Sequence, residues 1–267
     1  MPNFLPFTAE PLENGLKEAP VKDEVVYFHG CWANYYAPEI GMAFVRVMEK
    51  NGFRTLLPWQ KCCGMPMMAN GNIRGAERNF RFNVRSLYKA AFPNRPIITT
   101  CPSCNIMLRR EGQKFFASKE GSWVSEHIVD ADEFIVRLHR EGKLDTHFQK
   151  MSLKVFYQNP CHLKVQGLIK EPLDLLKLIL GTEIAGVNYY CCGLSGSYGM
   201  KKANYDRSIE IAQKVWKEAK KSRAEAVVTE CGGCGLMIQG GTGLKIFHPM
   251  VILGHAYSAA IVRDTAG

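Results

Sequence analysis

The sequence has no stretch long and apolar enough to span a bilayer. Its longest uncharged apolar run, Met250 to Val262 with His255 counted as neutral, falls short of the roughly 20 residues a transmembrane helix needs. It opens Met1-Pro2-Asn3-Phe4-Leu5, with no basic segment leading into an apolar core, so no secretory signal is expected and a cytoplasmic setting is. None of the common nucleic-acid-binding motifs is present, so no nucleic-acid partner is expected. Lys and Arg form no basic block, only short doublets such as Arg109-Arg110, Lys201-Lys202 and Lys220-Lys221. The net charge of +9 therefore reads as a solvated basic surface, with docking to anionic lipid or an acidic partner left open. There is no closely spaced Cys-x-x-Cys-x-x-Cys run of the bacterial ferredoxin kind.

What the sequence does have is one cysteine pattern used twice. The first copy is Cys31, Cys62-Cys63-Gly64 and Cys101-Pro102-Ser103-Cys104. The second is Cys161, Cys191-Cys192-Gly193 and Cys231-Gly232-Gly233-Cys234. Together they use all ten cysteines, and every member of the second copy follows its counterpart by 129 or 130 residues. A chance scatter would not hold one offset so closely, so the chain reads as two copies of one five-thiol site.

Hydrophobic residues make up 46% and charged residues 22% of the chain, as in globular proteins with a packed core. Residues 1–22 read as an N-terminal arm, 23–142 as a first domain, 143–151 as a linker and 152–267 as a second domain. In the first, a strand over 24–29 leads to Cys31. A helix from Pro38 carries Ile40, Ala43, Phe44, Val47 and Met48 on one face, and a strand over 53–57 precedes the Cys-Cys-Gly turn. A long helix from Asn72 places Ile73, Ala76, Phe80, Leu87 and Ala91 together, and a strand over 97–100 delivers Cys101. A charged helix is expected from Asp130 to about Glu141. The second domain repeats the order, with strands over 153–158, within 182–190 and over 226–230. It has helices over 171–180 and from about Asn204 to Ser222, and a last helix after His248-Pro249. Strands alternating with helices predict an α/β fold of two pseudo-symmetric, Rossmann-like parallel-sheet halves. Ligands of such sheets sit beyond the carboxyl ends of the strands, so each five-thiol set is expected to form one local site.

Four chemistries compete for five thiols at this spacing. Disulfides are disfavoured, because vicinal cysteines bond with strain and no secretory signal is seen. Structural zinc closes with four ligands and leaves the fifth superfluous. Ordinary cubane clusters also take four. A cluster with more than four thiolate ligands alone uses every cysteine, since a vicinal pair can address neighbouring irons and a fifth thiol can bridge two.

Duplicated Cys…Cys-Cys-Gly…Cys-x-x-Cys resembles the cysteine-rich "CCG" domain family over about residues 24–262. That family includes the heterodisulfide reductase B subunit and the C-terminal region of the anaerobic glycerol-3-phosphate dehydrogenase C subunit. Gly30-Cys31-Trp32-Ala33-Asn34-Tyr35, Cys62 to Gly71 and Cys192 to Lys202 carry the likeness to the second. The completeness of both motifs is similar to the first. The resemblance implies two non-cubane [4Fe–4S] clusters, one on Cys31, Cys62, Cys63, Cys101 and Cys104 and one on Cys161, Cys191, Cys192, Cys231 and Cys234. Zinc or a cubane in one site is the alternative. It further implies an oxidoreductase subunit reducing a small disulfide or oxidising thiols, or else relaying electrons from a flavin dehydrogenase to a membrane quinone. The partners implied are a ferredoxin-like iron–sulfur subunit, which would supply the cubanes of a ferredoxin-like segment not seen here, and a flavoprotein. Peripheral attachment to the inner face of the membrane would come through these partners. His162, beside Cys161, is the candidate catalytic proton or hydrogen-bond donor, with strand-end capping as its structural alternative. His29 and His248 are weaker candidates of the same kind. Met65 to Met68 and Tyr189-Tyr190 read as core or pocket wall.

Overall fold

The computed structural model describes residues 23–258; the expected N-terminal arm lies outside them. The chain divides into two compact units between Asp145 and Thr146. The first runs β1 (Asp23–Phe28), α1 (Pro38–Lys50), β2 (Phe53–Leu56), α2 (Met65–Ala69), α3 (Ile73–Ala91), β3 (Ile97–Thr99), α4 (Pro102–Ile106), α5 (Gly112–Phe116), α6 (Lys119–His127), β4 (Ile128–Asp130) and α7 (Ala131–Arg140). Its sheet has the order β2-β1-β3-β4, with every pairing parallel. Val25, Val26, Tyr27 and Phe28 are fully buried, as an unbroken apolar run in a central parallel strand should be.

Asn72 caps α3 by accepting the Gly75 N–H at 2.9 Å, satisfying one of the donors left free at a helix start. Ala76, Phe80, Leu87 and Ala91 are all fully buried along that helix. Ile73 was expected on the same stripe but is 43% exposed, because it opens the first turn before the stripe reaches the core. The charged helix expected from Asp130 also begins differently. Asp130 ends a fourth strand, β4, and its carboxyl caps α7 through the Asp132 N–H at 3.0 Å.

The second unit runs β5 (Leu153–Gln158), α8 (Cys161–Lys164), α9 (Glu171–Leu178), β6 (Thr182–Asn188), α10 (Tyr205–Lys221), β7 (Ala226–Val228), α11 (Gly232–Thr242), β8 (Lys245–Phe247) and α12 (Pro249–Ala256). Its sheet order, β6-β5-β7-β8, is again parallel and repeats the first. Phe156, Val215, Ala219, Val227 and Ile238 pack as one core cluster. The edge strand β8 was not expected. His248 caps the start of α12 by accepting the Met250 N–H on Nδ1 at 3.0 Å, which gives this residue a structural role.

Two consequences bear on the thiols. In each sheet the three strands that precede cysteines, β2-β1-β3 and β6-β5-β7, are adjacent. Because all pairings are parallel, their carboxyl ends lie along one edge. Among the described residues, no helix is long and apolar enough to cross a membrane.

Candidate metal centres

Each unit strings its five thiols together in the same order. In the first, Cys62 lies beside Cys31 and Cys63, and Cys104 beside Cys63 and Cys101. In the second, Cys191 lies beside Cys161 and Cys192, and Cys234 beside Cys192 and Cys231. All ten are free thiols. Cys63, Cys104, Cys192 and Cys234 are buried and the other six are half-buried. Each string therefore has a covered inner pair and an accessible outer set. Among the described residues, no three or more His, Cys, Asp or Glu side chains converge as around a single metal ion.

The corresponding thiol of each string is shifted in the same direction. Cys62 is held far below the ordinary thiol range, chiefly by the hydrogen bond from Cys31, then by that from Cys63 and by the Gly64 N–H. Cys191 is held low by Cys161, Cys192 and the Gly193 N–H in the same way. The donors are pushed up in turn: Cys31 chiefly by its bond to Cys62, and Cys161 by its bond to Cys191. Burial adds to the rise of Cys104 and Cys234. Cys231 stands just before α11, and its thiol is lowered, first by the bond from Cys234 and further by the N–H groups of Cys234 and Gly233. That is the expected effect of a helix start on a thiolate. Grouped thiols of this kind are soft donors that suit iron–sulfur clusters, zinc or cuprous ion.

Backbone shape is set by the Cys-Cys-Gly turns. Gly64 and Gly193 both have φ +93°, a left-handed conformation that glycine adopts freely. Both also press against a later helix, Gly64 against α3 and Gly193 against α10. An added Cβ at Gly64 would lie 3.2 Å from the Ala76 backbone, and one at Gly193 would lie 2.3 Å from the Ser208 carbonyl oxygen. At the head of the first string, a Cβ on Gly30 would fall 2.8 Å from Cys104 Sγ, so the sulfur occupies the space a side chain would need.

Polar residues that sequence reasoning missed hold these turns. Asn79 and Asn83, on the buried face of α3, both donate to the Cys62 carbonyl, at 3.1 and 3.3 Å. Asn83 also accepts from the Lys61 N–H and donates to the Lys61 carbonyl. In the second unit the Ser208 hydroxyl, from α10, donates to the Gly193 carbonyl at 2.7 Å. Two asparagines one turn apart on an otherwise apolar helix face were the available signal. Gln60 ties the first turn back to β1, accepting from the Gly30 N–H and donating to the Tyr27 carbonyl.

The residue before each Cys-x-x-Cys differs between units. Tyr27 OH and Thr100 Oγ1 are 2.8 Å apart, a neutral pair. Tyr157 OH instead donates to the Glu230 carboxylate, at 3.0 and 3.1 Å. Glu230, directly before Cys231, is buried.

His162 lies half-buried in α8 beside Cys161, and its carbonyl accepts from the Gln166 amide. His29 is buried with Nδ1 2.8 Å from the Gly30 carbonyl oxygen, and burial lowers its pKa. Met65, Met67 and Met68 pack partly buried against the first core. Tyr189 and Tyr190 are 40% and 65% exposed, so they are not core. Their carbonyls instead receive Lys164 and the Gln158 amide.

Comparison with known proteins agrees with the internal repeat. The cysteine-rich CCG domain profile matches residues 25–109 and again 155–239. The C subunit of anaerobic glycerol-3-phosphate dehydrogenase from Escherichia coli K12 is 34% identical over 242 residues, covering 90% of this chain and 61% of its own. The B subunit of fumarate reductase (CoM/CoB) from Methanothermobacter marburgensis is 29% identical over 244 residues, covering 87% of this chain and 46% of its own. An uncharacterized iron–sulfur protein of Methanocaldococcus jannaschii is 25% identical over 215 residues, covering 80% and 40%. The chain thus spans from two fifths to three fifths of the length of these relatives. With both copies of the motif matched and each set on its own parallel sheet, the chain belongs to the cysteine-rich CCG domain family.

Proposed function

We propose that this chain is an iron–sulfur subunit of a heterodisulfide-reductase-like redox complex. In this reading each five-thiol string holds one non-cubane [4Fe–4S] cluster, and the substrate is a small disulfide or the thiols it yields. The observation that carries it is the repeated five-cysteine set, each copy following three adjacent parallel strands. Zinc would leave one thiolate of each string without a role. The iron–sulfur name of one relative and the reductase and dehydrogenase names of two others support the assignment.

When bound, such clusters supply one-electron transfer and iron that takes up sulfur. The protein's own part is to present ligands and shape the surroundings. Cys62 and Cys191 sit between two neighbouring thiols each, and the buried pairs Cys63–Cys104 and Cys192–Cys234 keep one side of each site dry. The Gly64, Gly193 and Gly233 N–H groups aim at sulfur and tune it. His162 is assigned the donor role beside Cys161. A ferredoxin-like subunit and a flavoprotein complete the complex, which sits in the cytoplasm or on the inner face of the membrane. The 34% identity to the glycerol-3-phosphate dehydrogenase C subunit favours a second reading, an electron relay between a flavin dehydrogenase and a membrane quinone.

Anaerobic purification with iron, acid-labile sulfide and zinc analysis tests the cofactor. About eight irons per chain and no zinc is expected from two four-iron clusters; stoichiometric zinc overturns it. Cys104→Ser and Cys234→Ser then separate the two activities. Disulfide turnover should be lost in both variants. Turnover intact in Cys104→Ser rules out a mechanism that needs both centres, and quinone reduction without disulfide turnover in the unaltered complex supports the relay.

A further inference from the structure

A groove of about 620 Å³ runs along the outer side of α3, lined by Lys61, Arg78, Arg81, Arg85 and Lys89, with Phe82 and Ser86. Residues 78, 81, 85 and 89 recur at helical spacing, so charges far apart in sequence form one stripe. The lining holds five cations and no carboxylate; Glu77, beside it, pairs with Arg81 at 2.8 Å. Like charges at this spacing repel and weaken a helix, and among the described residues only Arg81 of the four stripe residues of α3 has an ion pair, to Glu77.

Aromatic surface adjoins the charge. Trp59 is 87% exposed, and its carbonyl accepts from the Ser86 hydroxyl of the groove at 2.5 Å. Phe82 lies under the Lys61 ammonium, 4.5 Å from nitrogen to ring centre. Exposed Trp amid Arg is the composition of binding hot spots.

The groove also abuts the first thiol string. Lys61 directly precedes Cys62, and Asn83, on the inner face of the same helix, bonds to the backbone of both. The second unit serves as an internal comparison. Matching buried Ala76, Phe80 and Leu87 of α3 with Ser208, Ala212 and Ala219 of α10 puts Glu210, Gln213, Lys217 and Lys221 where Arg78, Arg81, Arg85 and Lys89 stand. Tyr190 takes the place of Lys61. Two lysines and one glutamate replace five cations, so the repeat kept the thiols and not the charge.

We propose that the α3 groove is the docking surface for an acidic one-electron carrier protein, and that electrons enter the chain at the five-thiol site of the first unit. The inference rests on the iron–sulfur reading above. In the step, one electron leaves the reduced carrier and arrives at the first centre; the carrier is oxidised, the centre reduced, and no bond or proton moves.

The test uses the anaerobically purified protein and a reduced acidic [2Fe–2S] ferredoxin in stopped flow. Its rate of reducing the protein should fall at least about tenfold between low and high salt, as steered association does. Arg81→Glu/Arg85→Glu, and separately the milder Arg85→Gln/Lys89→Gln, should slow it at low salt, the first by about tenfold or more. Reduction by dithionite and the iron content should stay unchanged. Lys217→Glu/Lys221→Glu in the second unit should react as the unaltered protein does. Ferredoxin reduction at the original rate in both groove variants overturns the proposal. So does binding to anionic phosphatidylglycerol vesicles or single-stranded RNA that is lost in these variants while ferredoxin binding is kept. If the protein carries no iron, the functional reading fails, and ferredoxin affinity of groove variants against the original then judges the surface alone.

Discussion

The two Cys-Cys-Gly glycines share φ +93° yet press on their helices to different degrees, so alanine at each should separate backbone strain from crowding. A non-glycine residue in the left-handed region costs roughly 1–2 kcal/mol, offset by about 0.4–1 kcal/mol of unfolded-chain entropy. At Gly64 the added methyl finds the Ala76 backbone at 3.2 Å, which a shift of a few tenths of an ångström relieves, so Gly64→Ala should cost about 1 kcal/mol. At Gly193 it would lie 2.3 Å from the Ser208 carbonyl oxygen and 3.1 Å from the Ala212 nitrogen. Helix α10 must then move bodily, adding about 1–3 kcal/mol of overpacking. The Ser208–Gly193 hydrogen bond is disturbed as well, at about 1 kcal/mol. Gly193→Ala should therefore cost about 3 kcal/mol or more. Hydrogen exchange read by mass spectrometry on the reduced, cluster-free chain reports each unit separately. The loss should appear in β5 and α10 for Gly193→Ala and, smaller, in β1 and α3 for Gly64→Ala. Equal losses would mean that strain alone accounts for both glycines, and the close approach to α10 would be irrelevant.

Gly30→Ala should push Cys104 Sγ aside; on the proposed two-cluster reading, bound iron should fall from about eight to about four with the second centre's spectrum intact, and full iron retention refutes this. Burial, then the neighbouring Asp132, raises the Asp130 pKa well above its ordinary value. A raised carboxyl costs stability as pH climbs from the unfolded pKa, about 3.9, toward the folded one. Asp130→Asn keeps the cap on α7 and removes that cost, so urea unfolding of the first unit should lose part of its decline between pH 4 and 7; identical pH slopes count against it. Tyr157→Phe strips a charge-assisted bond from Glu230, whereas Tyr27→Phe strips a neutral one from Thr100. The first should cost about 1 kcal/mol more than the second in unit-resolved exchange, and the reverse order would show that Glu230 does not depend on Tyr157.

Long, strongly patterned elements were legible from residues alone. The stripe of α3, the apolar run of β1 and the strand–thiol alternation all rest on local periodicity. The strands β4 and β8 were not legible, because three residues carry no period and their partners lie far along the chain. The ten cysteines were readable as candidate ligands from the repeat offset. The order in which sulfurs touch was not, since Cys31–Cys62 and Cys63–Cys104 meet only once three strands stand side by side. The basic groove was hidden differently. Its cations are spaced by three and four residues, so a linear scan for charge blocks passes over them, while a scan at helical spacing would have found them.

The sheet topology bears on how such a protein is made. The first five thiols fall within residues 31–104 and the second within 161–234, so the two sets never interleave along the chain. During synthesis the ribosome releases the whole first set, and the strands that gather it, before any thiol of the second emerges. Domains fold as units, N-terminal first, so on the two-cluster reading proposed above the first set of thiols would be gathered before the second is made. Under that reading, a thiol of one half would have little opportunity to be taken into the cluster of the other.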